Sequence, residues 1–197
     1  MNKKAYHHGN LREALLSAAQ DLLLSGGVHS LSLRKVAQQA GVSATAPYSH
    51  FRDKRELLAV LATQGFEQLA ATMEGELARS DGATGSDLVG LARGYVDFAT
   101  RYPALFQLMF GPELGDLLEF PELARASTRA FSLMERAVAD RMAQAGTPQK
   151  TATAVAAAWS IVHGLSILLN DGRVAAGECG VADDGALIES VCGFLRL

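Results

Sequence analysis

Apolar residues recur along this chain at helical spacing. No run shows sustained alternation of β-branched and polar positions, so the pattern predicts an all-α protein. Leu11, Leu15, Ala18 and Leu22 share one face of a first helix over about 11–24, and Ser25-Gly26-Gly27 ends it. A second, short helix starts behind Ser32, a hydroxyl N-cap, with Leu31 and Val36 at the N′ and N4 positions of a hydrophobic staple. Gly41 closes it, and Ser43 follows in time to cap a third helix. Pro47 leaves that cap open. With Ser43 as cap, Pro47 stands at N4 and one backbone bond is lost; with Thr45, it stands at N2, inside the tolerated first turn. Two short helices hinged at one glycine have the form of a helix-turn-helix. Asp53 and Glu56 are spaced as a capping box for a long fourth helix reaching about Arg79.

Beyond a loop at Ser80–Gly85, Ser86 or Asp87 caps a fifth helix that ends before Pro103. A short helix covers Pro103–Phe110, and Gly111-Pro112 and Gly115 break it. Pro121 opens the next, which runs to about Ala145. Gly146, Thr147 and Pro148 then read as stop, N-cap and N1 proline. The segment Pro148–Asn170 is apolar nearly all round, which predicts a helix buried on all sides. A last helix, about Asp184–Arg196, carries Leu187, Ile188, Val191 and Leu195. The expected architecture is about nine helices: a three-helix helix-turn-helix domain over residues 1–52, then a helical domain over 53–197.

Charge divides the chain the same way. Residues 1–60 hold eight Lys+Arg and four Asp+Glu, leaving ten basic and seventeen acidic residues of the chain's 18 and 21 for the remainder. A basic smaller part beside an acidic larger one points to an anionic partner for the first part alone. Cys179 and Cys192 can build neither a disulfide framework nor a four-ligand zinc site by themselves, and they suit a reducing cytoplasm. Met1–Asn10 has lysines but no apolar core of a signal peptide. Thr151–Asn170 is twenty residues without a charge, but its Ala, Thr, Ser and His163 make it a weak membrane span and a better buried helix.

Several strings carry more specific information. A helix begins at Asn10-Leu11-Arg12 and ends in Gly26-Gly27. Then come Leu31-Ser32-Leu33-Arg34-Lys35-Val36-Ala37, Ala40-Gly41-Val42-Ser43, and Tyr48-Ser49-His50-Phe51 followed by Asp53-Lys54-Arg55-Glu56-Leu57-Leu58. In order and spacing, Tyr6 to Phe66 resembles the N-terminal domain of TetR-family transcriptional regulators. The opening Tyr6-His7-His8-Gly9-Asn10-Leu11-Arg12 looks like one branch of that family. The words Pro103–Gly111 and Trp159…His163-Gly164 resemble its WHG-type C-terminal domain.

A recognition helix meets base edges through its N-terminal residues. Here Ser43, Ala44, Thr45, Ala46, Tyr48 and Ser49 stand there, small for the most part, with Thr45 able to give one hydrogen bond or to touch a thymine methyl. The resemblance implies phosphate contacts for Tyr48, His50 and Lys54, whose hydroxyl, imidazole and ammonium suit them. Arg34 lies early in the second helix, beside the groove edge. Phe51 and part of the Tyr48 ring are expected to pack the small core, and Arg12 and Arg55 to be solvated or ion-paired.

The C-terminal part shows no catalytic constellation: no Glu-x-x-His pair, no nucleophile elbow, no Gly-rich phosphate loop. No enzyme activity, cofactor or metal is expected. Tyr95, Phe98, Phe106, Met109, Phe131, Met134, Trp159 and His163 form an aromatic and Met set that reads as core, and the resemblance implies that such residues line an inducer cavity. The expectation is a cytoplasmic, ligand-responsive repressor that binds a palindromic operator in double-stranded DNA as a homodimer and is released by a small apolar effector. Its rivals are a helical enzyme or carrier acting in the C-terminal domain, and a redox-sensing regulator using the two cysteines.

Overall fold

The computed structural model describes residues 11–79 and 86–194, and these are helical, with no strand among them. The opening 6–10, the loop 80–85 and the end of the last helix, Leu195 and Arg196, lie outside the described residues.

Helix α1 spans Leu11–Ser30. Its buried face, Leu15, Ala18, Ala19 and Leu23, follows the predicted stripe. Gly27 interrupts it at φ 66°, a left-handed conformation that glycine takes without steric cost, so the predicted stop is a kink with one further turn. Ser30 Oγ closes that turn onto the Leu22 and Gly27 carbonyls, each at 2.8 Å. Helix α2, Leu33–Gln39, is capped by Ser32, whose hydroxyl accepts the Lys35 N–H, and both staple residues, Leu31 and Val36, are buried. It ends in a Schellman motif. Gly41, at φ 70°, donates to Gln38 O at 3.1 Å, and Val42 donates to Ala37 O at 2.9 Å.

The predicted third helix shrinks to a single 3-10 turn, Ala46–Ser49, with Thr45 at its N-cap and Pro47 in its first turn. The structure thus takes the second of the two caps, although the Thr45 hydroxyl pairs with Ser43 Oγ at 3.2 Å rather than with a backbone N–H. Asp53 caps α3, Lys54–Leu77, by accepting the Glu56 N–H at 2.9 Å. Glu56 reaches back one residue beyond the usual capping box, to the Arg52 N–H at 2.7 Å.

The remaining helices are α4 (Ser86–Arg101), α5 (Pro103–Phe110), α6 (Pro121–Gln144), α7 (Thr151–Asn170) and α8 (Asp184–Gly193). Five short 3-10 turns accompany them, so the described residues hold eight α-helices. Helix α3 is the axis of the molecule. Leu57, Leu58 and Leu61 are buried near its start, and its later turns pack chiefly on α4 and α6. Two glycines bring neighbours close to it: a Cβ on Gly94 of α4 would lie 2.9 Å from Met73 Cα, and one on Gly65 of α3 would lie 2.6 Å from Met109 Sδ of α5. One continuous apolar core runs from Leu15 through α3 to Val162 and Cys192.

Helix α7 is covered on one side only within the chain. Only 22% of its apolar window is buried within the chain. Ala158, Val162, Leu165 and Ser166 face inward, whereas Trp159, Ile167 and Leu168 are each about 40% exposed. Periodicity registers apolar residues without saying what covers them, and a single chain covers one side of this helix only.

Candidate functional site

The first site is the surface built by α2, the 3-10 turn and the start of α3. Arg34, Ser43, Ala44, Thr45, Tyr48 and Ser49 are exposed; Ala46, His50 and Lys54 are half-buried. Phe51 is sealed in the core, and Pro47 is buried beneath the turn. Tyr48 corrects the expectation of a ring partly in the core: it is 61% exposed, because Pro47 and Phe51 already fill the space below the turn. No carboxylate interrupts residues 22–52, while Arg34, Lys35 and Arg52 are all exposed. An anion approaching α2 and the turn therefore meets Arg34, Lys35 and hydroxyls, whereas Arg52 is already paired with Glu56 at 3.0 Å at the start of α3, beside the exposed Asp53.

Lys54 has a second occupation. Its Nζ donates to Val28 O at 3.2 Å, tying the first turn of α3 to the kinked end of α1. Arg12 lies over the Phe51 ring, 5.7 Å from its centroid. Arg55 is ion-paired as expected, with Glu119 at 3.1 Å.

The second site lies in the C-terminal helices, where the structure joins some of the expected residues and separates others. Tyr95, Phe106, Phe131, Trp159 and His163 form one aromatic cluster. Phe98 packs instead on Tyr102, and Met109 sits under Gly65. Phe110 was missing from the expected set, yet its ring lies 4.8 Å from both Phe106 and His163. Its place at the end of the apolar word Pro103–Gly111 was the available signal.

The space between Leu69, Met73, Tyr95, Phe131, Met134 and Trp159 is only about 10 Å³, less than a water needs, so the cluster is closed on the α3 side. It opens on the other side, between α5 and α7. There a cleft of about 430 Å³ is lined by Phe106, Gln107, Phe110, His163, Ile167 and Asn170, among others.

His163 links cluster and cleft. Its Nδ1 lies 2.9 Å from the Tyr95 hydroxyl. Burial pushes the Tyr95 phenol well above its usual range, opposed in part by a hydrogen bond from Trp159, and burial lowers the pKa of His163. The 2.9 Å Tyr95–His163 contact leaves the second ring nitrogen, Nε2, as the polar atom free to meet a ligand. Cys192 is buried and unpaired, its thiol pushed up to about 12 by burial, while Cys179 is exposed. A thiol so protonated is a poor redox sensor. No group of His, Cys, Asp or Glu among the described residues is placed to hold a metal ion.

A third feature is the uncovered face of α7. Thr153, Ala156, Ala157, Ser160, Gly164, Ile167 and Leu168 follow one helical stripe of small and apolar residues, and Phe194 beyond α8 is 78% exposed. A Cβ on Gly164 would meet nothing within 4 Å.

A basic, exposed helix-turn-helix joined through one shared helix to a helical domain with its own cleft defines a class: a DNA-binding regulator with a second, helical part. The chain belongs to the TetR family. Residues 15–61 match the family model for bacterial regulatory proteins of the tetR family, and residues 88–190 match that of the tetracyclin repressor-like C-terminal domain.

Over 81 residues the chain is 41% identical to the tetracycline repressor protein class A from transposon 1721 of Escherichia coli, a match covering 41% of this chain and 36% of that protein. Over 92 residues it is 33% identical to the HTH-type transcriptional regulator Rv1816 of Mycobacterium tuberculosis (strain ATCC 25618 / H37Rv), covering 45% and 38%. The chain thus spans little more than a third of the length of these curated relatives. A solved structure of a protein of unknown function from Rhodococcus sp. RHA1 is 32% identical with a TM-score of 0.78, covering 98% of this chain and 95% of that one. The transcriptional regulator FadR from Bacillus subtilis, solved in complex with stearoyl-CoA, shares the fold at 16% identity and a TM-score of 0.70, covering 94% and 97%.

Proposed function

We propose that this protein represses transcription by binding a palindromic operator in double-stranded DNA as a homodimer, and that a small, largely apolar effector releases it. The observation that carries this reading is the exposed, carboxylate-free surface of α2 and the Ala46–Ser49 turn. In it Ala44, Thr45, Ala46 and Ser49 meet base edges. Arg34, Tyr48, His50 and Lys54 hold phosphates, with Ser43 at the entry to the turn. The DNA-binding part ends at residue 52, and α3 belongs to the sensory part from residue 53 on. The protein acts in the cytoplasm, on DNA, and without catalysis.

The C-terminal domain is of the WHG type, named for Trp159, His163 and Gly164. The effector enters the α5–α7 cleft, where Phe106, Phe110 and Ile167 supply apolar walls and His163, Gln107, Asn170 and Asp171 the polar groups. Tyr95, Phe106, Phe110 and Trp159 pack against the His163 ring and orient it, with Phe131 and Met134 beyond Trp159; Phe98 and Met109 lie outside this cluster. The stripe on α7, with α8, pairs with its counterpart in a second copy as a four-helix bundle. Operator half-sites then lie about 34–36 Å apart or a multiple of that, and an effector that favours another spacing lowers operator affinity by population shift.

The test is selection of genomic DNA fragments bound by the full chain, followed by footprinting on the selected sites. A palindromic footprint bound by a dimer is the expected result. Affinity should fall by about 0.9 decade per decade of salt for each phosphate neutralised. Binding of a strict monomer to one half-site, or an affinity indifferent to salt, refutes the reading.

A further inference from the structure

A separate cavity of about 190 Å³ lies in the seam between α1 and the α3–α5 pair, on the far side of α5 from the effector cleft. Its apolar part is Leu23, Leu61 and Leu105. Its rim is a set of carboxamides. Gln20 Nε2 donates to Gln64 Oε1 at 3.2 Å, and Gln68 stands one turn along α3 from Gln64. Among the described residues, the Tyr102 phenol is the one ionisable side chain lining it. Leu24, at its mouth, is 63% exposed, an apolar surface left for an occupant to cover.

We propose that this seam is a second small-molecule site, and that it takes a neutral aromatic of one or two rings with a single hydrogen-bonding group, of the phenol or indole class. Three features set that class. An apolar cavity of about 150 Å³ is known to take benzene, so this one has room for a substituted ring or a fused pair. Carboxamides both donate and accept, which matches a hydroxyl or a ring N–H. A charged ligand finds no counter-ion among the described wall residues and pays its desolvation uncompensated. The walls also give the site a role. Leu23 and Gln20 belong to the DNA-binding part, whereas Leu105 belongs to the helix that walls the effector cleft. An occupant therefore bears on how the two parts sit together, and its binding is linked to operator binding wherever that arrangement changes.

The test is a titration of the full chain, carrying labelled leucine methyls, with phenol, indole, toluene and benzoate, read by NMR. Phenol and indole should shift the methyls of Leu23, Leu24, Leu61 and Leu105 saturably, with Kd at or below about 1 mM. Benzoate, the same ring with a charge, should leave them unmoved. Gln68→Phe fills the mouth from an exposed position without burdening the fold, and should weaken phenol binding at least about tenfold. Gln64→Leu should reverse the preference between phenol and toluene. The proposal is overturned by any one of three results: shifts confined to residues of the α5–α7 cleft, equal binding of benzoate and phenol, or unchanged affinity in Gln68→Phe. It also fails if no saturable shift appears below about 10 mM. None of these readouts depends on the effector reading, which fails or stands on operator release.

Discussion

Arg55 joins the first turn of α3 to the segment that follows α5. One guanidinium nitrogen donates to Leu114 O at 2.8 Å, another to Glu119 at 3.1 Å, and the plane lies 5.4 Å from the centroid of Phe120. Replacing it with Met keeps the stem and removes all three contacts. A charged hydrogen bond to a carbonyl contributes about 1.5–3 kcal/mol. The ion pair is 43% exposed on the Arg side and 55% on the Glu side, so solvent screening leaves it about 0–1 kcal/mol. The ring contact, equally open to water, contributes about 0.5–1 kcal/mol. These effects share one side chain and do not add, so Arg55→Met should cost about 2 kcal/mol in chemical denaturation. For a chain of this size that lowers Tm by about 4–8 °C. Arg55→Lys keeps the charge but not the fork, and should fall between the two. A double-mutant cycle with Glu119→Gln should return a coupling below about 1 kcal/mol. The functional consequence is sharper. The walls of the effector cleft at Phe106 and Phe110 reach α3 through this segment. Arg55→Met should therefore still bind operator and effector separately, while the factor by which effector weakens operator binding shrinks. A variant within about 0.5 kcal/mol of the parent, or one with undiminished coupling, refutes the argument.

Thr45→Ala should relax preference at one base pair, at a cost of up to about 1–3 kcal/mol in binding-site selection. Lys54→Ala should weaken binding to all sequences alike and flatten the salt slope by about one, with a small loss of stability from the freed Val28 carbonyl that denaturation will register. Leu168→Glu and Ala156→Glu should each give a monomer in sedimentation, since both place a charge on the open stripe of α7; two soluble dimers would place the interface elsewhere. Gly94→Ala sets a Cβ 2.9 Å from backbone that cannot yield and should destabilise by about 1–3 kcal/mol, whereas Gly75→Ala, with nothing within 4 Å, should gain about 0.5–1 kcal/mol. For His163, burial holds the folded-state pKa below its usual 6.5, so in the window between the two values the unfolded chain binds more protons. Stability should then rise with pH through that window and be lost on acidification below about 6.5. His163→Asn should flatten this slope in denaturation curves taken from pH 5 to 7.

What could be read from the chain without its structure was mostly local. Ser32, Gly41 and Asp53 act over three or four residues through backbone bonds, so residue type and spacing suffice to place α2 and the start of α3. Pro47 was legible as an obstacle, but not the outcome: a proline in the first turn permits either a longer helix or a single 3-10 turn, and the packing of Pro47 and Phe51 decides. The nine residues expected to meet DNA lie together on one face because they fall in one short stretch of sequence, 34–54. The aromatic cluster was less legible. Its aromatics come from α4, α5, α6 and α7, and which side of the cluster stays open depends on how tightly α3 approaches, a matter of three dimensions. That is why Phe110 was overlooked and why Phe98 and Met109 fell outside the cluster. For helix α7, apolar composition states that a surface will be covered and leaves the identity of the cover open.

The open face of α7 makes abundance a physical variable of this molecule. With a second copy as its cover, every tenfold dilution weakens the pair by about 1.4 kcal/mol. Paired chains then grow with the square of chain number while chains are scarce. A cell making half as much of the protein holds about a quarter as many competent pairs in that regime, and the unpaired remainder presents Trp159, Ile167 and Leu168 to proteases and to other apolar surfaces. Occupancy of a DNA site would thus follow synthesis more steeply than in proportion. That is a threshold set by mass action on one helix face, with no sensory ligand needed to produce it.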